Sequence, residues 1–398
     1  MSLQFITGNS GNGKTKYLFN RIVKEAKANP RDNYLVIVPE QFTMQTQRQL
    51  VDLSENKAIM NIDVLSFKRL AYRVFDELGI TNLTVLEETG KNLVLRKLAA
   101  QEADKLGVIG RNLNRIGYIS EVKSLLSELV QYNISPEELG RYIASGRLSD
   151  ALSDKLKDVL VLYEAFEKFM QDKYITAEEI LNVLCNVAEE SAILRNSVIA
   201  FDEFTGFTPI QNQLIKKLFV ISKKIYVTLT IDCREDIFKS RGMQELFDMP
   251  KRTVKSLTEM AAFYGIEVEE PIILDKNYRL AENEELSFME QQLFRKRRCS
   301  FKKVPKHIHI DCLRDPKQEL TKIARRINEL VRNENLRYRD IAIVTGDVNI
   351  YAGYVREIFD KYNIPYFIDA TQEILFHPFI EFIRSIPDIA AQNFSADA

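Results

Sequence analysis

Short apolar runs and segments of helical period alternate over the first eighty residues. Leu3 to Thr7 reads as a strand, and Lys14 to Ala28 as a helix with Tyr17, Leu18, Ile22 and Ala26 near helical spacing. Tyr34 to Val38 is a buried-type strand stopped by Pro39. Gln41 to Leu53 is helical, Ile62 to Leu65 a brief strand, and Phe67 to Leu78 a helix. This alternation predicts a parallel sheet covered by helices on both faces. From about Glu87 to Glu190 the texture becomes wholly helical, as in Leu125, Leu126, Leu129 and Val130. Strand texture returns at Ser197 to Phe201 and Lys224 to Ile231. The helical block is therefore expected as an insertion between two strands of one sheet, with 1–85 and 196–290 as the two parts of the α/β domain and 86–195 as the insert.

Beyond Pro271 come Ile272 to Leu274 and a helix from about Ala281 to Phe294. A basic stretch follows within 291–306, comprising Arg295, Lys296, Arg297, Arg298, Lys302, Lys303 and Lys306. Such a run is either a solvated linker or a track for DNA phosphates. A second α/β unit begins at 307, with strands expected at His307 to Leu313, Asp340 to Val344 and Tyr366 to Asp369. Helices are expected at Gln318 to Val331, Tyr351 to Tyr362 and near Phe379 to Ser385. Residues 307–398 hold too few elements for a complete doubly wound domain, so the chain is expected to be truncated.

The length of 398 residues, 45% apolar and 28% charged, predicts two to four domains with ample core and excludes disorder. Fifty-five Lys and Arg against 56 Asp and Glu leave a net charge of −1, which removes a global electrostatic argument for nucleic acid. The four cysteines, at 185, 233, 299 and 312, lack the spacing of a zinc or redox motif and are expected to be inert buried thiols. His307 and His309 alternate on an expected strand without a third metal ligand nearby, which favours a structural role. His377, beside Pro378, reads as a packing or capping residue. No apolar run approaches the ~20 residues of a membrane span, and Met1 to Phe5 lacks a signal-peptide pattern. A soluble cytoplasmic protein without membrane contact is expected.

The strongest chemical signal is Gly8-Asn9-Ser10-Gly11-Asn12-Gly13-Lys14-Thr15, which satisfies G-x-x-x-x-G-K-[ST] with a strand entering and a helix leaving. Glycines allow turns that aim successive N–H groups at a phosphate, and the helix N-terminus adds its dipole. ATP with Mg²⁺ is the expected ligand: Lys14 reaching the β- and γ-phosphates, Thr15 ligating the metal. Val198-Ile199-Ala200-Phe201-Asp202-Glu203 supplies the acidic element. Asp202 emerges from a buried strand to hold the Mg²⁺ shell, and Glu203 is placed to orient and deprotonate an attacking water.

These motifs, taken in order with Val38-Pro39-Glu40-Gln41-Phe42-Thr43, Ser66-Phe67 and Lys276-Asn277-Tyr278-Arg279, resemble a superfamily 1 DNA helicase. The resemblance implies a RecA-like sheet with a helical insert and the start of a second RecA-like domain. It implies single-stranded DNA contacts at Gln41, Phe42, Thr43, Ser66 and Phe67, with Phe42 and Phe67 open between base stacking and core. It makes Arg279 an arginine finger reaching the γ-phosphate across a domain cleft.

A narrower likeness rests on 38–43, on Phe201 to Gln211 (FDEFTGFTPIQ) and on Ile374 to Phe382 (ILFHPFIEF). These segments resemble the B subunit of AddAB helicase–nucleases, which implies an A-subunit partner, processing of double-stranded DNA ends for recombination, and recognition of the Chi sequence. An iron–sulfur cluster is implied only for a C-terminal nuclease domain that is missing here. The segment Asp232-Cys233-Arg234-Glu235-Asp236 departs from the family's G-D-x-x-Q, which couples phosphate chemistry to DNA, because it has no Gln at the expected place. The expectation is a subunit that binds ATP-Mg²⁺ and single-stranded DNA without unwinding alone. An active helicase, a small-molecule kinase and a non-catalytic DNA-binding scaffold are the alternatives.

Overall fold

The computed structural model describes residues 1–80, 84–108, 110, 116–146, 148–170, 174–295, 299–369, 374 and 377–392. It divides into two compact units, 1–300 and 301–398.

In the first unit β1 (Ser2–Gly8) leads into α1 (Lys14–Ala28), followed by β2 (Tyr34–Ile37), α2 (Thr43–Leu53), β3 (Ile62–Leu65) and α3 (Phe67–Leu78). The insert opens with β4 (Val85–Leu86) and continues through α4 (Glu88–Gln101), α5 (Ile116–Gln131), α6 (Pro136–Ala144) and α7 (Asp150–Met170) to β5 (Ile175–Thr176). Then come α8 (Ile180–Val187), β6 (Val198–Phe201), α9 (Pro209–Ile221), β7 (Lys224–Thr230), α10 (Asp248–Phe263), β8 (Glu267–Val268), β9 (Ile272–Leu274) and α11 (Glu284–Gln292). The expected parallel α/β sheet is present, in the order β3-β2-β6-β7-β1, with β8 and β9 sharing the far edge of β1. Every pairing is parallel.

Period-two alternation splits each strand between two cores. Phe5, Ile37, Phe201 and Val227 face α3, α8, α9 and α10. Ile6, Val36, Ala200 and Tyr226 face α1 and α2. Entry to α9 is set by a capping box, Thr208 with Gln211, and by Pro209 in its first turn.

The insert has its own core, built from Leu95, Leu126, Leu162 and Phe166 among others. Two expectations about it need correction. The block is not wholly helical, because β4 and β5 pair across its base. It also ends before 195: α8 lays Ile180, Leu184 and Cys185 into the sheet's core and not the insert's, since its apolar face meets α3 and α9. The buried Lys91 ammonium closes the neck, with its Nζ 2.7 Å from Glu178 and 2.9 Å from Glu88.

The second unit contains α12 (Pro316–Asn333), α13 (Val348–Lys361) and α14 (Pro378–Ala391). Leu320, Ala324, Ile327, Ile358, Phe359 and Ile364 form its core. The strands expected at 307–313, 340–344 and 366–369 are absent among the described residues: these segments run without ladder partners, and Ile310, Val344 and Phe367 are exposed. A strand pattern marks a segment fit for a sheet but cannot supply the neighbour that makes it one. His377 caps α14, accepting the Phe379 N–H at Nδ1. Cys185 is buried, whereas Cys299 and Cys312 are exposed, contrary to expectation. Among the described residues no helix is long and apolar enough to cross a membrane.

Candidate functional site

Strands β1, β6 and β7 end side by side, and their register decides what meets there. Gly8 pairs with Thr230 and Phe201 with Val227, so Asp202 emerges beside Thr228. Parallel sheets bind ligands at this carboxyl edge. A cavity of about 730 Å³ opens here, walled by Ser10, Gly11 and Gly13 to Lys16, by Asp202 to Thr205, by Thr228 and Thr230, by Tyr278 and Arg279, and by Gln49 and Asp52 of α2.

The glycine-rich loop is braced from behind by its own asparagines. Asn9 Nδ2 donates to Glu290 Oε1 at 2.6 Å, and its Oδ1 accepts the Cys233 N–H at 3.0 Å. Asn12 Nδ2 donates to the Leu274 carbonyl at 2.5 Å. Both side chains turn into the protein, away from the ligand-facing direction expected along the whole motif. Ser10, Gly11, Gly13, Lys14 and Thr15 line the cavity, while Gly8, Asn9 and Asn12 do not. Gly13, at φ 79°, precedes α1 with no side-chain cap, which leaves the helix's first N–H groups and its positive dipole end at the cavity wall. Lys14 Nζ folds back onto the Gly8 and Asn9 carbonyls at 3.1 and 3.0 Å. Burial lowers its pKa; the Glu203 and Asp202 charges oppose that and the Arg279 charge adds to it.

Across the cavity Asp202 is buried. Its Oδ1 accepts from the Thr228 hydroxyl, and its Oδ2 has no hydrogen-bond partner. Burial raises this carboxyl's pKa above the ordinary value; the Thr228 bond and the nearby Thr15 hydroxyl oppose the rise, and the Glu203 charge adds to it. An orphaned buried oxygen beside a threonine hydroxyl fits a hard cation such as Mg²⁺, which takes oxygen ligands and commonly only one or two from the protein. Among the described residues no cluster of three or more His, Cys, Asp or Glu offers a metal cage. Glu203 is exposed, at φ +64°, a left-handed conformation that costs a non-glycine residue about 1–3 kcal/mol. The turn holds the Glu203 carboxylate 3.4 Å from Thr15 Oγ1. It sends Phe204 into a ring cluster with Phe67, Phe201 and Phe207.

The segment expected to reach the site from another domain lies on the loop within this same unit. Tyr278 N–H donates to the Gly11 carbonyl at 3.0 Å, Asn277 Nδ2 to the Ser10 carbonyl at 3.0 Å, and Arg279 Nη1 to Ser10 Oγ at 3.4 Å. Only a glycine fits at 11: φ is +91°, and a Cβ would sit 2.7 Å from Asn277 Oδ1. The segment continues through α11 to Arg295, whose Nη2 lies 2.6 Å from Asp232 Oδ2. Asp232 is also held by Arg234 Nε and Nη2 at 2.9 and 2.6 Å. Arg295 lies over the Phe247 ring as well. This first residue of the basic stretch is thus built into the fold. Lys296, Arg297 and Arg298 lie outside the described residues.

Of the residues expected on DNA, Gln41 is exposed and Phe42 half-buried against the α1–α2 core. The other three have their partners inside the protein. Thr43 is buried with its hydroxyl on the Glu40 carbonyl. Ser66 caps α3 and donates to Glu40. Phe67 is buried in the ring cluster, stacked on Phe201 at 5.8 Å, and has no face free for a base. Sequence reasoning missed Thr228 and Thr230. Their signal was available: alternation along Lys224 to Thr230 puts Tyr226, Thr228 and Thr230 on one face, and hydroxyls at the end of a buried strand need a reason.

The fold and site define a class: a parallel α/β protein whose glycine-rich loop faces a buried acid across the carboxyl edge of the sheet. A family model described as "ADDB, N-terminal" matches residues 5–290, and the chain belongs to that family. Its relatives are proteins named as the B subunit of an ATP-dependent helicase/deoxyribonuclease. The one from Lachnoclostridium phytofermentans is 38% identical over 403 residues, covering 100% of this chain and 35% of that protein. The one from Clostridium tetani is 32% identical over 407 residues, again covering 100% of this chain and 35% of the relative. The chain thus spans about a third of the length of the curated relatives it matches.

Proposed function

We propose that this chain binds ATP with Mg²⁺ in the 730 Å³ cleft and forms the RecA-like, helicase-like part of the B subunit of a helicase–exonuclease. In this reading the protein works in the cytoplasm with an A-subunit partner on single-stranded DNA and double-stranded ends, in recombinational repair. The observation that carries it is the pairing of an orphaned buried acid oxygen, on Asp202, with a lysine satisfied only by its own loop's carbonyls. Both groups gain partners when a phosphate chain and its cation arrive. Backbone N–H groups of Gly11 and Gly13 to Thr15 and the α1 dipole hold the phosphates, with Lys14 turning from the carbonyls to their charge. When bound, the cation would neutralise phosphate charge, and Thr15 and Asp202 are the residues that would hold it. Glu203 orients a water and accepts its proton, while Arg279 faces the terminal phosphate. Tyr278, exposed at the rim, offers a ring for a base to stack on.

Turnover by this chain alone is expected to be slow. The acid at the end of β7, which in a working motor must answer to DNA, is held by Arg234 and Arg295. The test is titration of a fluorescent ATP analogue with Mg²⁺, wild type beside Lys14→Ala, with and without single-stranded DNA. Binding abolished by Lys14→Ala, with little turnover, supports the reading. A second reading, an active motor, is favoured by Glu203 and Arg279 both lining the cleft; rapid DNA-stimulated turnover would establish it instead. No binding by the wild type would overturn both.

A further inference from the structure

We infer that Thr228 is a positioning residue for the metal-holding acid: its hydroxyl occupies one oxygen of Asp202 and thereby assigns the other to the cation. The inference rests on the ATP-Mg²⁺ reading of the cleft and deepens it.

Thr228 lies on β7, the strand between the loop-bearing β1 and the acid-bearing β6, in register with Ile6 on one side and next to Asp202 on the other. Both Thr228 and Asp202 are buried, and both line the cavity. A carboxylate in such a place rotates about its last torsion unless one oxygen is fixed. The Thr228 hydroxyl donates to Oδ1, while Oδ2 is left without a partner in a buried position. A buried carboxylate oxygen without a partner is costly, so one retained beside a cavity points to a ligand that satisfies it. Valine would serve equally well at 228 for packing, being the same size and as fit for a strand. The hydroxyl is the feature that packing does not require.

Two substitutions separate orientation from packing, because the two roles order them oppositely. Thr228→Val keeps the shape and removes the donor; Thr228→Ser keeps the donor and removes a methyl. The measurement is nucleotide-analogue binding to the full chain as a function of Mg²⁺, with a second titration in EDTA and melting curves for each variant. We expect Thr228→Val to raise the Mg²⁺ concentration for half-maximal binding by about tenfold, as loss of an outer partner of a metal ligand does. Its binding in EDTA should stay at the wild-type value even where its melting temperature falls because Asp202 Oδ1 is left unpartnered, and Thr228→Ser should stay near wild type throughout. Mn²⁺ binding followed by electron paramagnetic resonance in the presence of nucleotide should show the same order. An unchanged Mg²⁺ dependence in Thr228→Val, or a larger defect in Thr228→Ser, overturns the inference while leaving the cleft's ligand intact. Absence of nucleotide binding by the wild type strikes instead at the reading on which the inference rests.

Discussion

Two neighbouring strands, β6 and β7, each run into a buried aspartate at the same edge of the sheet, and the two acids are treated in opposite ways. Asp202 is given one hydroxyl and left with a free oxygen at a cavity. Asp232 receives two guanidinium groups, from Arg234 and Arg295. The first arrangement carries an unmet demand that a ligand can satisfy. The second is closed, and its arginine from beyond α11 ties the segment that covers the glycine-rich loop to the end of β7. Both side chains are shielded from solvent, and their partners account for much of the difference in chemistry. The same edge thus holds a site and a clasp one strand apart.

That contrast predicts opposite mutational signs. Asp232→Ala leaves Arg295, whose side chain is only 16% exposed, with Glu235 as its remaining acid at 3.3 Å, and is expected to cost about 2 kcal/mol in chemical denaturation. Asp202→Asn removes an unpaired buried charge while keeping the shape. It is expected to leave stability unchanged or raise it by up to about 1 kcal/mol, while abolishing Mg²⁺-dependent nucleotide binding. If both variants lose stability alike, the two acids are both structural and the contrast collapses.

The next largest effect concerns the strap that joins the two ends. Gly11→Ala meets Asn277 Oδ1 at 2.7 Å and Arg279 Cβ at 2.8 Å, at φ +91°. Gly79→Ala also meets a positive φ, +69°, but has nothing within 4 Å. Backbone strain is common to both, so their difference isolates the contact with 277–279. An excess loss of about 1 kcal/mol or more for Gly11→Ala is expected, with faster amide exchange confined to 275–295. Equal losses would mean that the segment rests on the loop without being held by it.

Particular residues show how much of this was open to sequence reasoning. The strands β1, β2, β3, β6 and β7, the loop at 8–15 and the acids at 202 and 203 were readable, because each is a local pattern with a local physical cause, whereas the short edge strand β8 was not. What escaped was set by distant partners. Asn9 and Asn12 sit in a motif whose pattern says nothing of Glu290 or Leu274. Phe67 begins a helix on the face where DNA was expected, and only the meeting of α3 with the end of β6 buries it. Arg295 heads a basic run and is claimed by an acid sixty-three positions earlier. The strands expected after 306 have the right period, but a ladder is a property of two segments. The face to which α8 belongs likewise depends on α3 and α9, not on its own sequence.

The smallest predicted effect is also the one in which the two aspartates are compared most directly, through the pH dependence of stability. Burial raises the native pKa of Asp202, so the folded state holds its proton more tightly than the unfolded chain. Stability owed to this group is therefore present at low pH and is lost as pH rises from about 4 through the raised native value. For Asp232 burial pushes upward too, but the bonds and charges of Arg234 and Arg295 outweigh it and the native pKa is lowered. Its contribution is present above about 4 and is lost as pH falls through the native value. Denaturation series across roughly pH 3 to 7, chosen to bracket ordinary carboxylates, should separate the two. The wild type minus Asp202→Asn difference should fall with rising pH, and the wild type minus Asp232→Asn difference should grow. Two slopes of the same sign would mean that Asp202 already has a partner for its second oxygen in solution, and with it would go the strongest reason for placing a cation there.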